Sequence, residues 1–264
     1  MKLPFTQVDA FADRPFAGNS AAVMPVDAWL ADEIHQSIAL ENNLAETAFL
    51  LPTTGDADYE LRWWTPAVEV AMCGHATLAA GHVVLSADPA RDAVHFRTRK
   101  AGVLTVTRDG DGYALDLPAT IVAPTRHDAL LAALGTPGGQ VFTAISGAEQ
   151  TEIVLLADEA AVLACAPDFK ALCGIETMAI VTAPGTSTDI ASRVFVSAWG
   201  IDEDPVTGSA HAALVPFWAE RLGRTEFSAY QASARGGHLG CRLAGDRVVL
   251  TGKCVTVIEG VFTF

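Results

Sequence analysis

The sequence predicts an α+β fold built from two similar halves. Three observations carry that prediction. Short apolar runs bounded by Gly, Pro and Asp recur along all 264 residues and outnumber the helical stretches. Many of these runs follow one another as hairpins or meanders, so the sheets are expected to be mostly antiparallel. An Ala-rich helical element is written twice, as "MCGHATLAAGHVVL" from Met72 and "VTGSAHAALVPFW" from Val206.

The elements follow in order. "TQVDAF" reads as a strand. "DAWLADEIHQSIAL" reads as a helix capped by Asp27, with an apolar face of Leu30, Ile34 and Ile38, ending near Asn42–Asn43. "ETAFLLP" and "YELRWWT" are strands, and Gly74 opens the first Ala-rich helix. "AVHFRTR", "GVLTVTR" and "YALDLP" form a meander, with "DGDG" at Asp109–Gly112 as a hairpin turn. "QVFTAIS", "EIVLLA", "TMAIVTA" and "SRVFVSA" are the strands of the second half. A helix then runs from Gly208 to Gly223, and "EFSAYQAS", "GCRLAG" and "RVVLTG" close the chain's meander. The join is expected near Leu117–Thr125, which gives halves of 1–118 and 119–264. Glu69 lies five residues before Gly74 and Glu203 five before Gly208, a spacing that aligns the two halves.

Composition narrows the function. A formal net charge of -14 opposes phosphate backbones and anionic bilayers, so neither nucleic acid nor membrane is an expected partner. No apolar run approaches the ~18 residues of a membrane span. The first residues lack a basic region followed by an apolar stretch, so no secretory signal is expected. Five cysteines, an odd count without a CxxC, fit a reducing cytoplasm better than a disulfide framework. His75 and His82 share a helical face but lack carboxylate or thiolate partners at ligand spacing, so no metal is expected.

The repeated element has a chemical reading. A helix start carries unpaired N–H groups and the positive end of the dipole, and a glycine there lets an anion approach. Gly74 and Gly208 are therefore candidates for holding a small acid, although Gly and Ser before helices are also ordinary caps. Glu46 stands at the start of an otherwise apolar strand, either at the surface or as a buried acid. Asp202, Glu203 and Asp204 precede the second helix, where acidic residues also serve as dipole partners.

The stretches "VDAFADRPFAGNSAAV", "NLAETAFLLP", "RWWTPAVEVAMCGHATLAA", "GIDEDPVTGSAHAAL" and "RGGHLGCRL" together resemble the PhzF-like phenazine-biosynthesis isomerase family, relatives of diaminopimelate epimerase and proline racemase. They span Val8 to Leu243. The resemblance implies two pseudo-symmetric halves, each a curled sheet around a central helix, with the active site between them. It allows the last strand, 254–264, to return to the first half. It also implies a homodimer and no cofactor. Carried over residue by residue, it makes Glu46 the catalytic acid/base. Gly74, His75, Asp204, Gly208 and Ser209 then hold the substrate. Asn19, Cys73 and Gly237 are weaker candidates: Asn19 caps a turn or lines the pocket, and Gly237 lies in a family loop with a backbone role.

The implied reaction is movement of a proton and double bond on a small carboxylate- or amine-bearing substrate. Ala45 and Cys73 depart from the phenazine enzyme-like pattern, which puts the substrate in question. Two other readings stay open. Cys73 matches the first thiol of the cofactor-independent epimerases and racemases, although Pro205 stands where the second thiol belongs. A non-catalytic small-acid binding protein is the third reading, and it would tolerate loss of the Glu46 carboxylate.

Overall fold

A computed structural model of the chain describes residues 1–146 and 150–264. The first half of the chain contributes β1 (Lys2–Ala10), β2 (Asn19–Pro25), α1 (Asp32–Asn42), β3 (Glu46–Pro52), β4 (Tyr59–Trp64), β5 (Glu69–Val70), α2 (Gly74–Ala87), β6 (Ala93–Thr98), β7 (Val103–Asp109) and β8 (Gly112–Pro118). Then come β9 (Val122–Thr125), α3 (Asp128–Leu134), β10 (Gln140–Ala144), β11 (Thr151–Leu155), α4 (Glu159–Ala164), α5 (Phe169–Leu172), β12 (Met178–Pro184), β13 (Ile190–Val196) and β14 (Ile201–Asp204). The chain closes with α6 (Gly208–Leu222), β15 (Glu226–Gln231), β16 (Gly237–Ala244), β17 (Arg247–Gly252) and β18 (Cys254–Thr263). It divides into two units, Met1–Asp116 with Thr251–Phe264, and Leu117–Leu250. No helix among the described residues is long and apolar enough to cross a membrane.

The two units use the same strand plan. In the first, β18, β1, β2, β3, β4, β6, β7 and β8 are successive neighbours, with β5 also on β4. Only β2/β3 and β4/β6 are parallel. In the second, β9, β10, β11, β12, β13, β15 and β16 follow one another, with β14 also on β13. Here, among the described residues, only β11/β12 and β13/β15 are parallel. The parallel pairs need crossovers, and helices supply them. α1 lies between β2 and β3, α4 and α5 between β11 and β12, and the long helices α2 and α6 precede β6 and β15. The fold is α+β, with mostly antiparallel sheets.

Each long helix is buried nearly all round, which is why its sequence is Ala-rich rather than amphipathic. In α2, Ala76, Leu78, Ala79, Ala80 and Leu85 are fully buried. The helix packs on β1, β2, β3, β6 and β7 of its own unit. A Cβ at Gly81 would sit 2.4 Å from the Val106 side chain, so glycine sets how closely β7 approaches. In α6, Ala210, Ala212, Ala213, Leu214 and Val215 are fully buried. Pro216 lies inside this helix and cannot donate to Ala212 four residues back. The Ala212 carbonyl is satisfied by the Thr120 N–H at 2.9 Å instead, so the helix continues to Gly223, which caps it in the left-handed conformation.

Two expectations need correction. The first helix begins at Asp32, capped by Ala31, and not at Asp27. The Trp29 indole donates to Glu60 Oε2 at 2.8 Å, which ties down the chain ahead of the helix. Its buried face is His35, Ile38 and Ala39, and Ile34 is exposed. The short helices α3, α4 and α5, of seven, six and four residues, lie in stretches the sequence patterns left unassigned. α4 and α5 each bury a single residue and are too short to repeat an apolar face, and the buried Leu130, Ala133 and Leu134 of α3 mark little more than one turn.

Candidate functional site

The residues singled out by sequence gather at two helix starts, each within its own unit. β2 and β3 run parallel with Ala21 opposite Glu46, so Asn19 and Glu46 both stand at or near the beginnings of neighbouring strands. α2 begins against the same strands. Asn19 is placed by Gly18, whose φ is +63° and where a Cβ would lie 2.1 Å from the Ala10 carbonyl oxygen, so no side chain fits.

At this start, Asn19 Nδ2 lies 3.1 Å from His75 Nδ1. With the amide nitrogen as donor, Nδ1 accepts and the ring proton sits on Nε2. Nε2 is 2.9 Å from Glu46 Oε2, and the Glu46 side chain is 14% exposed. Cys73 Sγ lies 3.5 Å from His75 Nδ1 and 4.0 Å from Nε2. Cys73 and His75 are both buried. Gly74 opens α2 with Cys73 as the cap residue, and the Cys73 side chain makes no capping bond. The N–H groups and positive dipole end are therefore not neutralised by the cap side chain. Among the described residues, Glu46, Cys73 and His75 form a group whose ligand atoms all lie within 4.8 Å of one another.

At the start of α6 the groups bind one another. Asp204 ends β14 and is buried. The Thr207 hydroxyl donates to Asp204 Oδ2. The fully buried Gln231 donates from Nε2 to the Asp204 carbonyl at 2.7 Å and to Thr207 Oγ1 at 3.1 Å. Its Oε1 accepts the Thr207 N–H at 2.9 Å. Gly208 is buried, and Ser209 Oγ lies 3.8 Å from Met178 Sδ. Gly237 is buried, opens β16 and faces Gln231 across the ladder. Ser233 Oγ donates to the Pro205 carbonyl at 2.8 Å and accepts the Gly236 N–H at 3.0 Å, fixing the loop that leads to Gly237. His211 Nδ1 lies 2.8 Å from the Thr207 carbonyl, and burial pushes the ring's pKa down to about 4.

The spacing of Glu69 and Glu203 has a physical account. Arg62 on β4 grips Glu69 with two bonds, Nε–Oε1 at 2.7 Å and Nη2–Oε2 at 2.9 Å. Arg193 on β13 grips Glu203 the same way, at 2.8 and 2.9 Å. Each pair clamps the short strand that leads into a long helix. Sequence reasoning missed both arginines, and also Thr207 and Gln231. The one available signal for Gln231 was a lone amide closing the apolar alternation of "EFSAYQ".

The phenazine biosynthesis-like (PhzC-PhzF) family model matches residues 8–260. The chain belongs to this family. An uncharacterized isomerase of Pseudomonas aeruginosa is 49% identical over 263 residues, covering 98% of each chain. The crystal structure of a PhzF-family phenazine biosynthesis protein from Enterococcus faecalis is 40% identical, with a TM-score of 0.88 and full coverage of both chains. A hydroxyproline epimerase from Agrobacterium vitis, 15% identical with a TM-score of 0.65 over 98% of this chain and 92% of its own, shares the fold alone. Membership in the family supports isomerase as the class of activity.

Proposed function

We propose that this PhzF-family chain is an intramolecular proton-transfer isomerase in which Glu46 is the single acid/base. The observation that carries the reading is the cluster Asn19–His75–Glu46, in which the buried Oε2 of the Glu46 carboxylate has no hydrogen-bond partner among the described residues and lies 2.9 Å from an imidazole. A C–H bond of the substrate breaks, its proton passes to the Glu46 carboxylate, and the electron pair enters the adjoining π-system. Glu46 then returns the proton to a different carbon, and the double bond moves. The backbone N–H groups at Gly74 would stabilise substrate carboxylate or developing negative charge.

Substrate holding by Asp204, Gly208 and Ser209 rests on the family resemblance and on their order around the start of α6. The substrate class is a small carboxylate- or amine-bearing molecule with an acidic C–H. A homodimer, and activity without a cofactor, belong to the same proposal; light scattering on the purified protein tests the first. Cys73 supports a second reading, an epimerase, because its sulfur stands beside His75 and the start of α2. Proton NMR in D2O with a panel of small amino acids and dihydroaromatic acids separates the two. Deuterium entering with a moved double bond supports the isomerase. Deuterium at an α-carbon with inverted configuration, lost in Cys73→Ala, supports the epimerase.

A further inference from the structure

We propose that Glu46, Cys73 and His75 form a binding site for one divalent cation of the zinc class, and that its occupancy withdraws the Glu46 carboxylate from proton transfer. The second clause rests on the acid/base reading above; the first does not.

One thiolate, one imidazole and one carboxylate make a zinc-type donor set, and sulfur selects against magnesium and calcium. Tetrahedral bonds of ~2.3 Å to sulfur and ~2.0 Å to nitrogen or oxygen place ligand atoms roughly 3.3–3.5 Å apart. Here His75 Nε2 is 2.9 Å from Glu46 Oε2 and 4.0 Å from Cys73 Sγ. Shifts of about half an ångström correct the two pairs that include Nε2, and the Glu46–Cys73 pair, within 4.8 Å, closes by up to about 1.4 Å to bring the three onto one ion. The charges also match: a thiolate and a carboxylate neutralise a dication in a largely buried position. Binding releases the Cys73 thiol proton to solvent. A fourth position stays open for water.

The surroundings fit the same assignment. A metal-bound imidazole needs its other ring nitrogen to donate to a fixed acceptor. Asn19 stands 3.1 Å from Nδ1, and turning its amide over presents the carbonyl oxygen to an Nδ1–H. The amide therefore serves both states of the ring, accepting from Nδ1–H when the ion is bound and donating to Nδ1 when it is not. The sequence did not suggest a metal because Cys73 and His75 are only two residues apart, while the third ligand comes from a different strand, 27 positions upstream of Cys73.

The test is titration of the metal-free full-length protein with Co2+, read as the thiolate-to-cobalt charge-transfer band, followed by competition with Zn2+ against a chromophoric chelator. One equivalent is expected to develop the band in the wild type and to leave Cys173→Ser, which removes an exposed thiol, unaffected. Cys73→Ser and Cys73→Ala are expected to lose the band while keeping the wild-type circular dichroism spectrum. Glu46→Gln and His75→Asn should each weaken Zn2+ at least about tenfold, and Asn19→Ala about tenfold. No band in the wild type overturns the site, as does a band that survives in both Cys73 variants or vanishes in Cys173→Ser. Should both Cys73 variants misfold, unchanged Zn2+ affinity in both Glu46→Gln and His75→Asn overturns it equally. Deuterium exchange by the metal-free protein tests the isomerase reading separately: it needs no metal, and the cobalt band needs no substrate.

Discussion

The starts of α2 and α6 are two versions of one design. Each follows a short strand clamped by an Arg–Glu pair, each opens with glycine, and in neither does the cap side chain bond the first turn. Their polar side chains differ in use. At α2, an imidazole, a thiol and a carboxylate lie within 4.8 Å, groups able to exchange a proton or hold an ion. At α6, Asp204, Thr207 and Gln231 are held in a mutual network of hydrogen bonds. The duplication thus preserves the clamp and the helix start, while the groups around each start diverge. The proposed proton transfer belongs to the first start; at the second, Asp204, Thr207 and Gln231 bind one another.

That contrast can be broken by substitution. Glu46→Gln should lower substrate-dependent proton exchange by about 10²–10⁴-fold and leave the thermal midpoint nearly unchanged. A binding protein on the same scaffold would retain full ligand affinity and have no exchange to lose. The clamps should behave alike in kind and differ in degree. Arg62→Met is expected to cost about 3 kcal/mol and Arg193→Met somewhat less, because the Arg62 side chain is 2% exposed and that of Arg193 is 14%. Equal and negligible losses in denaturant unfolding would show that the clamps do not hold the strands ahead of the helices. At the α6 start, Gln231→Leu strips partners from the Thr207 N–H and the Asp204 carbonyl. A loss of about 2 kcal/mol is expected; a neutral result would show that this network does not stabilise the α6 start.

A graded effect is in pH. Burial holds His211 and His35 at about 4, against an ordinary value of 6.5. Above pH 6.5 neither the folded nor the unfolded chain protonates them. Between 6.5 and 4 the unfolded chain takes up protons that the folded chain refuses, so stability falls as pH falls. For His211 the slope reaches about 1.4 kcal/mol per pH unit, and below about 4 no further loss comes from these rings. His35 lies among Trp29, Phe49 and Trp64, so His35→Phe should remove its share of the slope. An unfolding free energy flat from pH 6.5 to 5 would contradict both burials.

Local chemistry was the part most legible in sequence. The turn between Asp109 and Gly112 pairs as its residues dictate, and Gly223 ends α6 where expected. The α2 and α6 repeats, and the Glu–Gly spacing before each, marked the two-fold plan before any contact was known. What the sequence could not carry was partnership across strands. Glu46 and Cys73 are brought together by the parallel pairing of β2 with β3 under α2, and no spacing rule encodes that meeting. Arg62 and Arg193 were invisible for the same reason, since their partners lie on different strands. The false start of α1 at Asp27 has another cause. Asp27 is a favourable cap residue, but Trp29 is held by Glu60, and that bond outweighs local preference.

The central claim is that Glu46 moves a proton between two carbons of one substrate. The most direct measurement is deuterium incorporation from D2O, followed by NMR across the substrate panel, for the wild type beside Glu46→Gln. The account predicts deuterium at a substrate carbon together with a displaced double bond in the wild type, and neither in the variant. Exchange that persists undiminished in Glu46→Gln would contradict it.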